Sequence, residues 1–134
     1  MKIIIIKKDT LLYDEFKFKC SIGKNGRTTK KIERDNKTPK GLYALGPLYY
    51  RKDKLFKIST KLKKIEIKKN FGWCDDVKSK FYNKPIKISN KFRYEKLYRK
   101  DNKYNLLIPI EYNFKRTKKN KGSAIFLHLT SNYK

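Results

Sequence analysis

Histidine, tryptophan and methionine each occur once in this 134-residue chain, and cysteine occurs only twice. A single histidine with Cys20 and Cys74 cannot supply a tetrahedral zinc site, whose ligands come as closely spaced pairs. The two cysteines form no disulfide framework either; one Cys20–Cys74 bridge is allowed but nothing in the sequence requires it. Arginine is scarce, restricted to Arg27, Arg34, Arg51, Arg93, Arg99 and Arg116, so lysine carries most of the 37 basic side chains. Bidentate readout of bases and phosphates favours the guanidinium fork, which weakens a specific nucleic-acid reading. Long apolar runs are missing as well. The N-terminal run of four isoleucines, residues 3–6, ends at lysines. It is too short for a signal-peptide core and far too short for a membrane span. As written, the chain carries no export signal.

The formal net charge is +25, with 38% hydrophobic and 14% aromatic residues. Basic chains bind polyanions through counterion release, and interleaved aromatics stack on bases. Here the charge is spread over nearly every segment, with no basic helix or stripe to face a duplex. Together with the abundance of Lys, Ile, Asn and Tyr, this reads as A/T-directed codon drift giving a solvated basic surface, and no nucleic-acid partner is expected. The length allows one domain over residues 1–134, burying roughly two thirds of the unfolded surface.

Period-2 patterning dominates and predicts an all-β or β-rich domain. Residues 3–6 fit a short buried strand, and Phe16, Phe18 and Cys20 alternate with Lys17 and Lys19 in a strand with one wet face. A polar loop over 27–40 ends in Thr38-Pro39-Lys40-Gly41, and strand character returns over 41–50. Residues 64–68 alternate, 71–83 look irregular, and Ile86 and Ile88 mark a short strand after Pro85. The strongest apolar stretch is 104–112, where Pro109 suggests an edge or bulge. Residues 122–130 form the last strand, and only 95–101 resembles a helical turn. No internal repeat or flexible linker interrupts the chain.

His128 closes the run Gly122-Ser123-Ala124-Ile125-Phe126-Leu127-His128. Three readings are open: a strand histidine satisfied by a backbone carbonyl, a metal ligand, or a general base that activates a thiol. The second is weak, because no other histidine and no close acidic cluster accompany it. An imidazole titrating near neutrality suits the third. Cys74 in Gly72-Trp73-Cys74-Asp75-Asp76 is then the nominal nucleophile, with Cys20 behind it, although a buried inert thiol is the commoner fate of a lone cysteine.

Several motifs agree in order along the chain: Ser21-Ile22-Gly23-Lys24-Asn25-Gly26, Asp35-Asn36-Lys37-Thr38-Pro39-Lys40-Gly41-Leu42-Tyr43 and Leu45-Gly46-Pro47-Leu48-Tyr49-Tyr50-Arg51. Gly72-Trp73-Cys74-Asp75-Asp76, Leu97-Tyr98-Arg99-Lys100-Asp101 and the run ending at His128 follow. Together they resemble the L,D-transpeptidase (YkuD-type) catalytic domain across nearly the whole chain. The resemblance implies a β-sandwich-type domain with little helix. It also implies a cysteine acyltransferase acting on peptidoglycan stem peptides, with no cofactor or metal. In that family a thiolate attacks the amide after the third stem residue, releases the terminal D-amino acid, and passes the acyl group to another stem's amine. His128 matches the histidine that takes the thiol proton. Trp73 and Asp75 become substrate-binding candidates, with a structural role as the alternative for each. Thr38-Pro39 reads as a rigid lead-in to the next strand.

Two departures accompany the likeness. The family cysteine lies in a Ser/Thr-x-Gly-Cys signature downstream of the histidine, and this sequence reaches Lys134 before such a signature. Cys74 belongs to a different motif, so the expectation is a shortened, inactive domain with an uncovered sheet edge and reduced stability. The second departure is Arg34, where the family usually has glycine; a positive φ there would strain arginine by roughly 1 kcal/mol or more. A cell-envelope location is implied by the resemblance. The alternatives are a non-catalytic binder of cell-wall peptide or glycan and a basic nucleic-acid binder.

Overall fold

The computed structural model describes residues 2–132 and is all-β, with twelve short strands and no helix among the described residues. Strands β1 (Ile4–Ile6), β2 (Thr10–Tyr13) and β3 (Phe16–Lys19) form an antiparallel meander. Its second turn places Asp14 at φ 55°, a conformation that Asp tolerates better than most residues. Next, β4 (Arg27–Thr28) and β5 (Thr38–Pro39) pair in parallel, bracketing the polar loop between them. Strands β6 (Leu48–Tyr50) and β7 (Lys64–Glu66) are also parallel neighbours. A second antiparallel sheet has β8 (Phe71–Cys74) at its centre, flanked by β9 (Pro85–Lys87) and β10 (Tyr94–Lys96). Finally β11 (Leu106–Pro109) and β12 (Phe126–His128) complete a four-stranded sheet in the order β12-β11-β6-β7.

The core lies between these last two sheets. Tyr49, Ile67, Trp73, Leu97 and Leu107 are buried together, with Phe71, Tyr104, Phe114 and Phe126 packed on them. Trp73 of β8 spans the gap: its ring meets Tyr49 of β6 at 6.4 Å, Phe114 at 6.0 Å and Phe126 of β12 at 5.1 Å. A buried Arg51 ties the loops at one end, with a bidentate pair to Asp53 (2.8 and 2.7 Å), a hydrogen bond to the Arg99 carbonyl at 2.6 Å and the Tyr98 ring beneath it.

Several sequence expectations are corrected. The isoleucine strand is not buried: Ile3 and Ile5 are 48% and 50% exposed, because β1 to β3 neighbour only one another. Phe16 and Phe18 are exposed as well, so β3 is wet on both faces. The stretch expected to be irregular opens with β8, whose Gly72 lets the Tyr94 ring of β10 approach closely. The expected helical turn at 95–101 begins as β10, because Tyr94 and Lys96 pair with Cys74 and Gly72 while Leu97 anchors in the core. Pro109 sits on an interior strand, but at its end, beyond the β6 pairing. Only 48–50 of the expected 41–50 strand is regular; Leu45 makes an isolated bridge to Ile110.

Candidate active-site cavity

A cavity of about 330 Å³ opens where the 31–38 loop, the segment before β12, and the ends of β8 and β10 meet. Each wall is held by a polar hub. In the loop, the Asp35 carboxylate accepts hydrogen bonds from Lys31 Nζ (2.5 Å), the Ile32 amide (2.9 Å) and the Lys37 amide (2.9 Å). Burial alone would push this carboxyl up, but those donors and the Lys31 charge hold it below the usual carboxylate range. The loop backbone turns through positive φ at Arg34 (65°) and Asn36 (55°). Arginine therefore occupies the left-handed conformation at the position where glycine was anticipated, as the sequence reading of Arg34 considered.

The second wall is the approach to β12. Gly122, at φ +106°, lies so close to Lys31 that a β-carbon there would come within 2.8 Å of Lys31 Cγ. The Gly122 amide donates to the Tyr82 hydroxyl at 3.0 Å. That hydroxyl donates in turn to Glu33, which also accepts from Ser123 Oγ at 2.8 Å. Burial first, and then the Glu33 carboxylate, push the Tyr82 phenol far above its ordinary value, so it stays a donor at physiological pH. Asn83 fixes the same segment from the core side. Its Oδ1 accepts from Trp73 Nε1 (2.8 Å) and the Ala124 amide (3.1 Å), while Nδ2 donates to the carbonyls of Tyr112 (3.0 Å) and Asn113 (2.7 Å).

The third wall carries Asp75, Glu95 and Tyr104. Asp75 is half-buried and paired with Arg93 Nε at 3.1 Å. Tyr104 donates to Glu95 Oε1 at 3.0 Å, and burial followed by the Glu95 charge pushes its phenol up. Its ring stands edge-on to Phe126 at 5.8 Å and to His128 at 5.1 Å. A run of rings thus passes from Trp73 in the core through Phe126 and Tyr104 to the histidine at the surface.

His128 ends β12 opposite Leu107 and is exposed at the cavity wall. Its Nδ1 lies 2.6 Å from the Leu129 carbonyl. A carbonyl can only accept, so Nδ1 donates to it, and Nε2 makes no hydrogen bond to any described residue.

His128 and Asp75 therefore share one cavity. Trp73 does not line it: the indole is 2% exposed, so of its two expected roles the structure shows the structural one, packed in the core. Cys74 is completely buried and cannot act as a nucleophile; Cys20 hydrogen-bonds weakly to the Lys7 carbonyl at 3.9 Å, its thiol pushed up by burial and then by Asp9. Both are free thiols, outside the cavity lining. Thr38 accepts from the Gly23 amide at 2.8 Å, a structural contact consistent with a rigid lead-in.

The sequence reading missed Glu33, Tyr82, Asn83, Glu95 and Tyr104. One signal was present for the acids: in a chain with 12 acidic against 37 basic residues, each carboxylate is unusual enough to examine. Asn83 had none, being one asparagine among many. Among the described residues no group of three or more His, Cys, Asp or Glu side chains could hold a metal ion, and no helix is long and apolar enough to cross a membrane. Comparison with family models, curated proteins and solved structures found no match.

Proposed function

We propose that this chain is an acyl-transfer domain of the L,D-transpeptidase type, in which His128 is the proton carrier and the adjoining cavity receives a peptidoglycan stem peptide. One observation carries the reading: the His128 ring, in contact with the Leu129 carbonyl and the Tyr104 ring, lines a cavity of about 330 Å³ and has its Nε2 unengaged by any described residue. An imidazole so placed can accept a thiol proton and return it.

In the proposed reaction, a cysteine thiol loses its proton to Nε2 and the thiolate attacks the amide carbon. The C–N bond breaks, the amine leaves with the proton from Nε2, and a thioester remains. An acceptor amine then attacks the thioester, forming a new amide and regenerating the thiol. Neither Cys20 nor Cys74 can take part from its observed position, so the thiol would follow His128 in a longer form of the chain, as the family likeness implies.

The test uses the 134-residue chain and a form carrying an in-frame Ser/Thr-x-Gly-Cys segment. Binding of a stem tetrapeptide should perturb the His128 ring resonances in both. D-amino acid release is expected only from the extended form, and His128→Ala should abolish it. Peptide binding that leaves the imidazole signals unmoved would sink the proposal. Binding without release from the extended form would favour the non-catalytic alternative.

A further inference from the structure

The charges around the cavity are unequally satisfied. Glu33 accepts from Ser123 and Tyr82, Asp75 is paired with Arg93, and Glu95 accepts from Tyr104 with Arg99 Nη1 at 3.5 Å. Every acidic group at the cavity already has a donor from the protein. Among the cations, Lys31 is spent on Asp35. Arg34 and Lys37 both line the cavity, and their side chains make no hydrogen bond or ion pair to any described residue. The charges at the cavity that the protein leaves unpaired are therefore cationic, on the exposed side chains of Arg34 and Lys37.

The backbone at Arg34 is held in place, while its side chain is exposed. Its φ of 65° is costly for a residue with a β-carbon, yet Asp35 fixes the flanking residues by bonding the Ile32 and Lys37 amides and the Lys31 ammonium. Strain that the surroundings over-determine is characteristic of functional positions, and a planar guanidinium matches a carboxylate in a two-point contact. We infer that Arg34, assisted by Lys37, is the carboxylate-binding end of the cavity, so that its ligand is a peptide with a free C-terminal carboxylate. The identification of that peptide as the acyl donor rests on the acyl-transfer reading above.

The experiment titrates the 134-residue chain, followed by NMR, with a stem tetrapeptide ending in a free D-alanine carboxylate and with the same peptide as its C-terminal amide. A lost charge-assisted contact should weaken the amide by about tenfold. Arg34→Ala should weaken the acid by the same factor and leave the amide unchanged, erasing the discrimination; Arg34→Gly should do likewise while relieving the backbone. Lys37→Ala should cost the acid roughly threefold, as expected of an exposed point charge. Equal binding of acid and amide by the unaltered chain overturns the carboxylate assignment and leaves acyl transfer standing. Loss of both peptides in Arg34→Ala also overturns it, since the residue would then only shape the loop. No shift with either peptide overturns both readings.

Discussion

Phe18 in β3 and Leu107 in β11 both come from strands rich in apolar residues, yet Phe18 is 53% exposed and Leu107 only 1%. The difference lies in what faces each sheet. By register, Ile4, Ile6, Leu11, Tyr13, Phe16 and Phe18 share one face of the N-terminal meander, and no other strand neighbours it. Leu107 instead belongs to a sheet whose inner face meets the β8 sheet through Trp73 and Phe126. Alternation specifies a strand and its apolar face, but only a second layer turns that face into stabilisation. The meander is held by its backbone ladder and by contacts such as Phe16 against Phe18, whose centroids are 6.2 Å apart.

The most forceful way to break this comparison is to truncate one ring from each region. Trp73→Ala should cost about 3 to 5 kcal/mol, enough to unfold much of the population, because it empties the space between two sheets. Phe18→Ala should change stability by no more than about 0.5 kcal/mol, as for an ordinary surface position. Denaturant midpoints measure both. A loss above about 2 kcal/mol for Phe18→Ala would mean that the meander face is covered in solution.

A hydrogen-bonded hub inside the well-packed region sharpens the contrast. Asn83→Ala strands the Trp73 indole N–H and the Ala124 amide and frees two carbonyls, at an expected cost of about 2 to 3 kcal/mol. Native-state hydrogen exchange should rank the regions in the same order: β8 and β11 amides protected to near global stability, β1 and β3 amides opening first. Equal protection of β3 and β11 would refute the ranking.

The legibility of this chain follows from the same physics. The strands over 64–66, 85–87, 106–109 and 126–128 were readable because β-branched and aromatic residues alternate or cluster there. Coverage was not readable: nothing local distinguishes Ile3 to Ile6, which are left out of the core, from Ile67, which is 2% exposed within it. Of the cavity lining, His128 and Asp75 were singled out by motif, and the positive φ at Arg34 was considered by comparison with glycine. Glu33, Tyr82 and Asn83 were beyond reach, because Glu33 meets Ser123 ninety positions away and Asn83 meets Ala124 across forty-one. Such pairings exist only once the fold has formed. Trp73 stayed open between two roles because a lone tryptophan beside two aspartates suits either a cleft or a core, and the structure places it in the core.

The 31–38 loop, held by polar contacts and not by a second layer, gives a smaller test. Arg34→Gly removes the penalty for a positive φ, about 1 kcal/mol, and part of that gain is offset by the greater freedom of glycine in the unfolded chain. The expected outcome is a net stabilisation of about 0.5 kcal/mol alongside the lost acid preference; Arg34→Ala, which keeps the strain, should show the lost preference alone. A melt that moves equally for both variants would argue against strain at this position.

The smallest effect expected is a pH dependence at Asp35. Its folded pKa lies below the ordinary carboxylate value because the Ile32 and Lys37 amides and Lys31 outweigh the burial that opposes them. Between the two pKa values the unfolded chain binds more protons, so stability rises with pH there. The contribution is fully present above about pH 4 to 5 and is lost as pH falls through the folded value. Asp76, Asp53 and Asp101 are depressed in the same direction, so the whole-protein curve cannot isolate one group. The difference between the unaltered chain and Asp35→Asn can: it should be largest near neutrality and shrink on acidification. Amide resonances of Ile32 and Lys37 should move with the Asp35 titration, while those of Leu11 and Phe18 in the meander stay fixed until global unfolding. A difference that holds constant down to about pH 2 would mean that Asp35 acts by shape alone and not through its charge.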